Sequence, residues 1–212
     1  MADYITFEEN KIRMFKIGKF SFSSIEIRHL LIAFIMINIT FMSLNRSSLA
    51  LLGLVNFIIV FTLSVGFGFA FHEIAHKLVA QHFGYISEFR ADFMMLAVSF
   101  FLAFTTGFGF LAPGAVLIAG RLSIRENGII SVAGPLVNLT LAILFLLIIL
   151  IFQPIAGSLL AITCRIGISV NAFLGIFNMI PFWVLDGKKV LAWNKRIYFL
   201  VLVPLVMLFM LF

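Results

Sequence analysis

Phe67-Gly68-Phe69-Ala70-Phe71-His72-Glu73-Ile74-Ala75-His76 closes a stretch of sequence that carries no charge from Ser47 to Phe71. A run of that length exceeds the ~20 apolar residues a helix needs to cross the hydrocarbon core of a bilayer. It reads as one long helix from Leu49 to about Phe83, with polar residues crowded near its end. On a helix, positions i and i+4 share a face, so His72 and His76 can offer two imidazole nitrogens to one metal ion. Glu73 then reaches toward a water held there. With four histidines in 212 residues, shuffling such a composition gives His-Glu-x-x-His in roughly two chains per thousand. The plain alternative is a polar cluster that only bonds one helix to another. Ionisable groups near hydrocarbon are costly, however, and their default reading is functional.

Composition sets the class. The chain is 63% hydrophobic and 11% charged, with 27 phenylalanines, which makes it an integral membrane protein with an all-α polytopic fold. Full spans are expected over Leu30–Leu44, Leu49–Phe83, Ile129–Phe152, Ala156–Ile180 and Ile197–Phe212, in a single membrane-embedded domain covering 1–212. Residues 1–29 read as a cytoplasmic arm, too polar at Met1–Ser24 for a signal peptide. Within it, Phe20-Ser21-Phe22-Ser23 alternates like a short surface strand, with a disordered arm as the other reading. Residues 49–187 hold the catalytic core. The one cysteine, Cys164, leaves no intramolecular disulfide and no cysteine-rich zinc module. The net charge of +6 encodes topology rather than nucleic-acid binding.

Phe93–Gly120 is apolar but interrupted by Gly107, Gly109, Pro113 and Gly114, which break helices. If it crosses the membrane, seven of the fifteen basic residues lie on the cytoplasmic side: Lys11, Arg13, Lys16, Lys19, Arg28, Lys77 and Arg90. If it dips in and returns, Arg121, Arg125, Lys188, Lys189, Lys195 and Arg196 join them to make thirteen. Short cytoplasmic loops carry the Lys and Arg excess, so five full crossings plus one re-entrant segment are preferred to six spans. Irregular backbone at membrane depth must be satisfied by protein or by a water-filled cavity, so this segment is expected to line the site. The site's mouth and the N-terminus then face the cytoplasm of a cell membrane.

A hydrolytic zinc site takes a third protein ligand and keeps one position open. His29 and His82 read as interfacial residues. Asp3, Glu8, Glu9 and Glu26 precede the first span, while Glu88, Asp92 and Glu126 sit in polar loops. Asp186 differs, following the largely apolar run Phe177–Leu185 at the depth expected for the motif. Its bland reading is a helix C-terminal residue before a turn at Gly187, compensated by Lys188 and Lys189. Asn138 and Asn178 fall at a similar depth, and each suits either a bond between helices or a contact to a substrate.

His72-Glu73-x-x-His76, Gly134-Pro135-x-x-Asn138 and Asn178-x-x-Pro181-x-x-x-Leu185-Asp186-Gly187, in this order on three membrane segments, resemble the site-2 protease family of intramembrane zinc metalloproteases. The motifs span Phe71 to Gly187, over half the chain. The resemblance implies a three-helix catalytic core with one zinc ion held by His72, His76 and Asp186. It implies Glu73 as the residue that activates water, and Asn138 and Asn178 as substrate contacts. The implied substrate is a membrane-spanning protein, often a signalling protein or a regulator of transcription, met within the lipid bilayer. The sequence has no room for the PDZ or CBS domains of many relatives, and Val184 stands where many have proline.

Two rivals make different demands. A metal transporter needs no Glu73 and is expected to show repeats, none of which is visible. Prenyl-protein-type membrane proteases pair the same motif with a downstream glutamate, here Glu88 or Glu126. A catalytically silent homologue that binds membrane proteins would keep every ligand.

Overall fold

The computed structural model of the protein describes residues 13–107 and 114–212. The expected arm over 1–12, with Lys11, and the breaks at Gly109 and Pro113 lie outside these residues. The described part of the arm is a hairpin, β1 (Met14–Ile17) and β2 (Phe20–Ser23), paired antiparallel from Met14↔Ser23 to Ile17↔Phe20. Ser23 ends the hairpin and caps α1 (Ser24–Leu44), its side chain accepting from the Glu26 N–H. That satisfies one of the orphan donors every helix start carries.

The long helix of the motif begins later than the sequence suggests. A single turn, α2 (Leu49–Leu52), stops at Gly53, whose φ of 73° suits glycine far better than other residues. From there α3 (Leu54–Phe61), a π turn at Thr62–Gly66 and α4 (Phe67–His82) run as one 29-residue apolar unit. A π turn changes the backbone ladder locally and is a recurrent feature of functional helices.

After α4, β3 (Ile86–Ala91) leads into α5 (Phe93–Thr106), capped by Asp92, which accepts from the Met95 N–H. β4 (Gly114–Ala119) then pairs antiparallel with β3, from Ile86↔Ala119 to Ala91↔Gly114. Within Phe93–Gly120 the described residues form a short helix and a strand, and the pairing sets Gly114, after the helix, beside Ala91, before it. α6 (Ile124–Phe152) starts with a reciprocal capping box between Ser123 and Glu126 and contains Pro135. α7 (Leu159–Asn178), α8 (Asp186–Trp193) and α9 (Lys195–Leu211) complete the chain.

This is a helical polytopic membrane fold with, among the described residues, two small antiparallel strand pairs. Among the described residues, four helical units are long and apolar enough to cross a bilayer: Ser24–Leu44, Leu54–His82, Ile124–Phe152 and Leu159–Asn178. The span expected at Ile197–Phe212 is the 17-residue α9. Leu144, Leu150 and Ile151 on α6 are exposed, as expected where lipid replaces water as solvent. One core joins Ile37 of α1, Phe61 of α3, Phe69 of α4, Phe89 of β3, Leu96 of α5 and Leu174 of α7. A second joins Val132 of α6, Val190 of α8 and Leu205 of α9. The motif helix lies between them, packed on α6.

Asp186 does not end a helix. α7 stops at Asn178, and Asp186 opens α8 after the loop 179–185. Pro181 offers no N–H to extend α7. Asp186 thus stands at the end of a helix dipole that favours negative charge, where no cation is needed to excuse it.

Lys77, beside His76 in sequence, is 1% exposed and ion-paired at 2.7 Å with Glu26, which is 0% exposed. Lys77 also donates to the Ser87 carbonyl at 2.7 Å, and Glu26 accepts from the Phe89 N–H at 2.9 Å. These bonds hold α1, β3 and the motif helix in one register. Gln81 exchanges bonds with the Ser21 backbone at 3.0 and 2.9 Å, docking the N-terminal hairpin on the same helix.

Candidate metal centre

α4 delivers His72 and His76 to one face, one turn apart, and both are buried. The outer nitrogen of each ring is already used. His72 Nδ1 lies 2.6 Å from Asn138 Oδ1, and His76 Nδ1 lies 2.7 Å from the Ile130 carbonyl oxygen. Both partners accept: the carbonyl by nature, and Asn138 because its amide nitrogen donates to the Gly68 carbonyl at 3.2 Å and to Asn171 Oδ1 at 3.1 Å. Each imidazole therefore holds a proton on Nδ1, and in its neutral form presents an Nε2 lone pair.

Those two Nε2 atoms face each other at 3.0 Å, and Asp186 Oδ2 lies 3.1 Å from that of His76 and 3.5 Å from that of His72. With both rings neutral, three acceptor atoms converge, an arrangement that suits a cation. Tetrahedral zinc with bonds of ~2.0–2.1 Å separates its ligand atoms by ~3.3 Å. The three separations bracket that value, and two histidines with one carboxylate match catalytic zinc better than a hard-ion, all-oxygen cage.

α6 and α8 are shaped to this cluster. A β-carbon placed on Gly134 would stand 2.5 Å from Nε2 of both His72 and His76. Gly134 is the bare wall behind the ligands. Pro135 follows it, crowding the α6 backbone one turn earlier, near the carbonyl that His76 uses. At Gly187 a β-carbon would run into the Met179 carbonyl. That close approach sets the angle at which α8 carries Asp186. Tyr198 of α9 donates its hydroxyl to the same Met179 carbonyl at 2.9 Å, and so fixes the loop from the other side. Lys189 Nζ lies 3.5 Å from Asp186 Oδ1.

The cluster opens into a cavity of about 630 Å³. Glu73 lines it beside the histidines, and Asn178 borders it from the end of α7. Gly114, Ala115, Val116 and Ile118 of β4 form a facing wall. Among the described residues β4 pairs with β3 alone, so one edge of the strand keeps free N–H and C=O groups. Trp183, Val184 and Leu185 line the mouth. Trp183 takes φ 47° and is 59% exposed, a left-handed conformation that costs ~1–2 kcal/mol for a residue with a side chain.

His72, Glu73, His76 and Asp186 are thus brought together, and Asn178 borders the cavity. Asn138 is placed elsewhere than expected: it is 0% exposed and lies behind His72, touching no part of the cavity wall. His29 accepts from the Ala91 N–H at 3.1 Å and His82 meets Lys19 Nζ at 2.9 Å, both away from the cluster. Glu126 is engaged in the α6 cap and Glu88 pairs with Arg90. Among the described residues the group that could hold a metal ion is His72, His76 and Asp186, and neither Glu88 nor Glu126 joins it. Asn171 and the Lys77–Glu26 pair were not singled out in the sequence. An asparagine seven residues before Asn178 shares its helix face, and that spacing was the available signal.

Apolar helices enclosing a motif glutamate and a His-His-Asp cluster define a membrane-embedded metalloprotease-type protein. A curated protein of Methanocaldococcus jannaschii named "Putative zinc metalloprotease MJ0611" is 43% identical over 196 residues, 91% of this chain and 98% of that protein. The chain belongs to this family, the site-2 protease-like zinc metalloproteases. No protein-family model matches it, and no solved structure does.

Proposed function

We propose that the protein is an intramembrane zinc metalloprotease that hydrolyses a peptide bond within or near a transmembrane segment of a membrane-protein substrate. The observation that carries this reading is the shared cavity, in which Glu73 and the three-ligand cluster face a strand with a free edge. His72, His76 and Asp186 hold the zinc. When bound, zinc supplies a Lewis acid that makes water acidic at neutral pH and draws charge from a carbonyl oxygen.

Glu73 takes a proton from the attacking water and passes it to the nitrogen of the leaving amine. A substrate helix hides its carbonyls in its own hydrogen bonds, so a few residues must unwind first. The edge of β4 receives them as an added strand, supplying the backbone partners lost on unwinding. Asn178 binds the opened segment from the opposite wall.

The pairing of β3 with β4 supports a re-entrant 93–120, entering and leaving on one side. The excess of basic residues on that side supports a cytoplasmic N-terminus and cavity mouth in a cell membrane. Substrates are then single-span regulatory proteins reached through the bilayer, and their cleavage is regulated intramembrane proteolysis. The test is cleavage of tagged single-span membrane proteins by purified protein after chelation. Activity lost on chelation and restored by zinc supports the reading, and cleavage indifferent to chelator sinks it.

A further inference from the structure

We propose that Asn171 is a positioning residue for the metal centre, acting through Asn138 to hold His72 with Nε2 bare and aimed at the cation site. The inference rests on the reading that His72 binds metal. Asn171 sits on α7, is 0% exposed, and does not border the cavity.

The argument is one of hydrogen-bond polarity. Asn171 Nδ2 donates to the Ser64 carbonyl at 3.1 Å and to the Gly167 carbonyl at 2.9 Å. Backbone carbonyls can only accept, so the amide of Asn171 has one orientation, with Oδ1 turned toward α6. That oxygen accepts from Asn138 Nδ2 at 3.1 Å, and together with the Gly68 carbonyl, which accepts from the same nitrogen at 3.2 Å, it obliges Asn138 to present Oδ1 to His72. His72 must then donate from Nδ1. The backbone carbonyls of Ser64 and Gly167 on Asn171, and of Gly68 on Asn138, thereby set which ring nitrogen of His72 donates. Flipping either amide would place oxygen against oxygen in a buried space, a cost of the order of an unsatisfied buried polar group.

The main chain is adapted to this path at two points. Ser64, itself 0% exposed, belongs to the π turn Thr62–Gly66, where the ladder departs from the i→i−4 spacing. Gly68 lies against Asn171, and a β-carbon there would stand 2.5 Å from Asn171 Oδ1. The motif helix is therefore pared back at Gly68 where Asn171 meets it, one turn before His72 and just after the π turn. An asparagine serving only to join helices would stabilise the bundle. It would leave metal affinity untouched.

The experiment uses the full chain, with Zn²⁺ and Co²⁺ alone as probes, and compares wild type, Asn171→Leu, Asn138→Ala and their double variant. Thermal melting is the folding control. Asn171→Leu is expected to weaken zinc binding about tenfold, the lower end of what loss of an outer partner costs a metal site. It should also shift the visible absorption of bound Co²⁺, and the double variant should bind no more weakly than Asn138→Ala alone, since both act along one path. Gly68→Ala, which pushes on Asn171 from α4, should repeat the affinity loss and decides the matter if Asn171→Leu does not fold. Lower melting with unchanged zinc affinity and an unchanged cobalt spectrum would make Asn171 a structural residue and overturn the inference. Failure of the wild type itself to bind either ion would instead overturn the metal reading beneath it.

Discussion

Gly134 stands so close to His72 that a β-carbon on it would lie 2.5 Å from the ring's Nε2, the atom that faces the cation site. One methyl group would enter the space a metal needs. Gly134→Ala is therefore expected to lower zinc affinity by at least about tenfold, on the scale of changes next to metal ligands. The metal-free protein should also melt lower, because the added β-carbon would meet two buried rings that are each held by a hydrogen bond at Nδ1. Metal titration beside thermal melting separates the two effects.

Asp186 and Glu126 were rival candidates for the third ligand, and the structure gives them different partners. Asp186 meets both histidines, whereas Glu126 closes a capping box at the start of α6. Asp186→Asn should abolish stoichiometric zinc and cleavage together. Glu126→Gln should leave both intact, since glutamine serves a capping box as well. Elemental analysis of the two purified variants checks this.

Asn138 and Asn178 should part company in the same way. Asn178→Ala is expected to raise KM at full zinc content, because its side chain borders the cavity. Asn138→Ala should weaken zinc binding, because its oxygen accepts from His72. Kinetics on one cleavable substrate, with zinc measured on the same samples, distinguishes a substrate contact from a ligand support.

The Lys77–Glu26 pair makes a stability prediction. Removing one partner, as in Glu26→Ala, leaves a buried charge without compensation and should cost about 3–5 kcal/mol. The double change Lys77→Met with Glu26→Leu should recover most of that loss, since apolar side chains of similar volume often replace a buried pair at little cost. Unfolding of the wild type, Lys77→Met, Glu26→Leu and the double change in one detergent, read as a double-mutant cycle, tests it.

Much of the site was legible because its spacing is helical. His72, Glu73 and His76 are fixed in relation to one another by the period of α4 alone, and the apolar run before them announces the membrane. Asp186 could be picked out as a candidate ligand, yet its setting could not. An apolar run interrupted by one proline reads as a helix approaching its end, whereas Asp186 begins the next helix. What turns the chain there is the close packing of Gly187 on Met179, a contact no local pattern displays. β4 was hidden for a related reason, since a strand of small and branched residues is defined by pairing with β3 across the whole of α5. Lys77 read as a topology charge because its partner lies far away in sequence at Glu26. Asn138 read as a substrate contact because its bond to His72 depends on how α6 rotates against α4.

The most direct test of the central claim is incubation of zinc-loaded wild type and Glu73→Gln, reconstituted in lipid, with a single-span membrane protein, followed by mass spectrometry of the products. The account predicts a metal-equal pair in which the wild type alone cuts, at a bond within or at the edge of the substrate's transmembrane segment. A cut made equally by Glu73→Gln, or one confined to the substrate's soluble part, would contradict it.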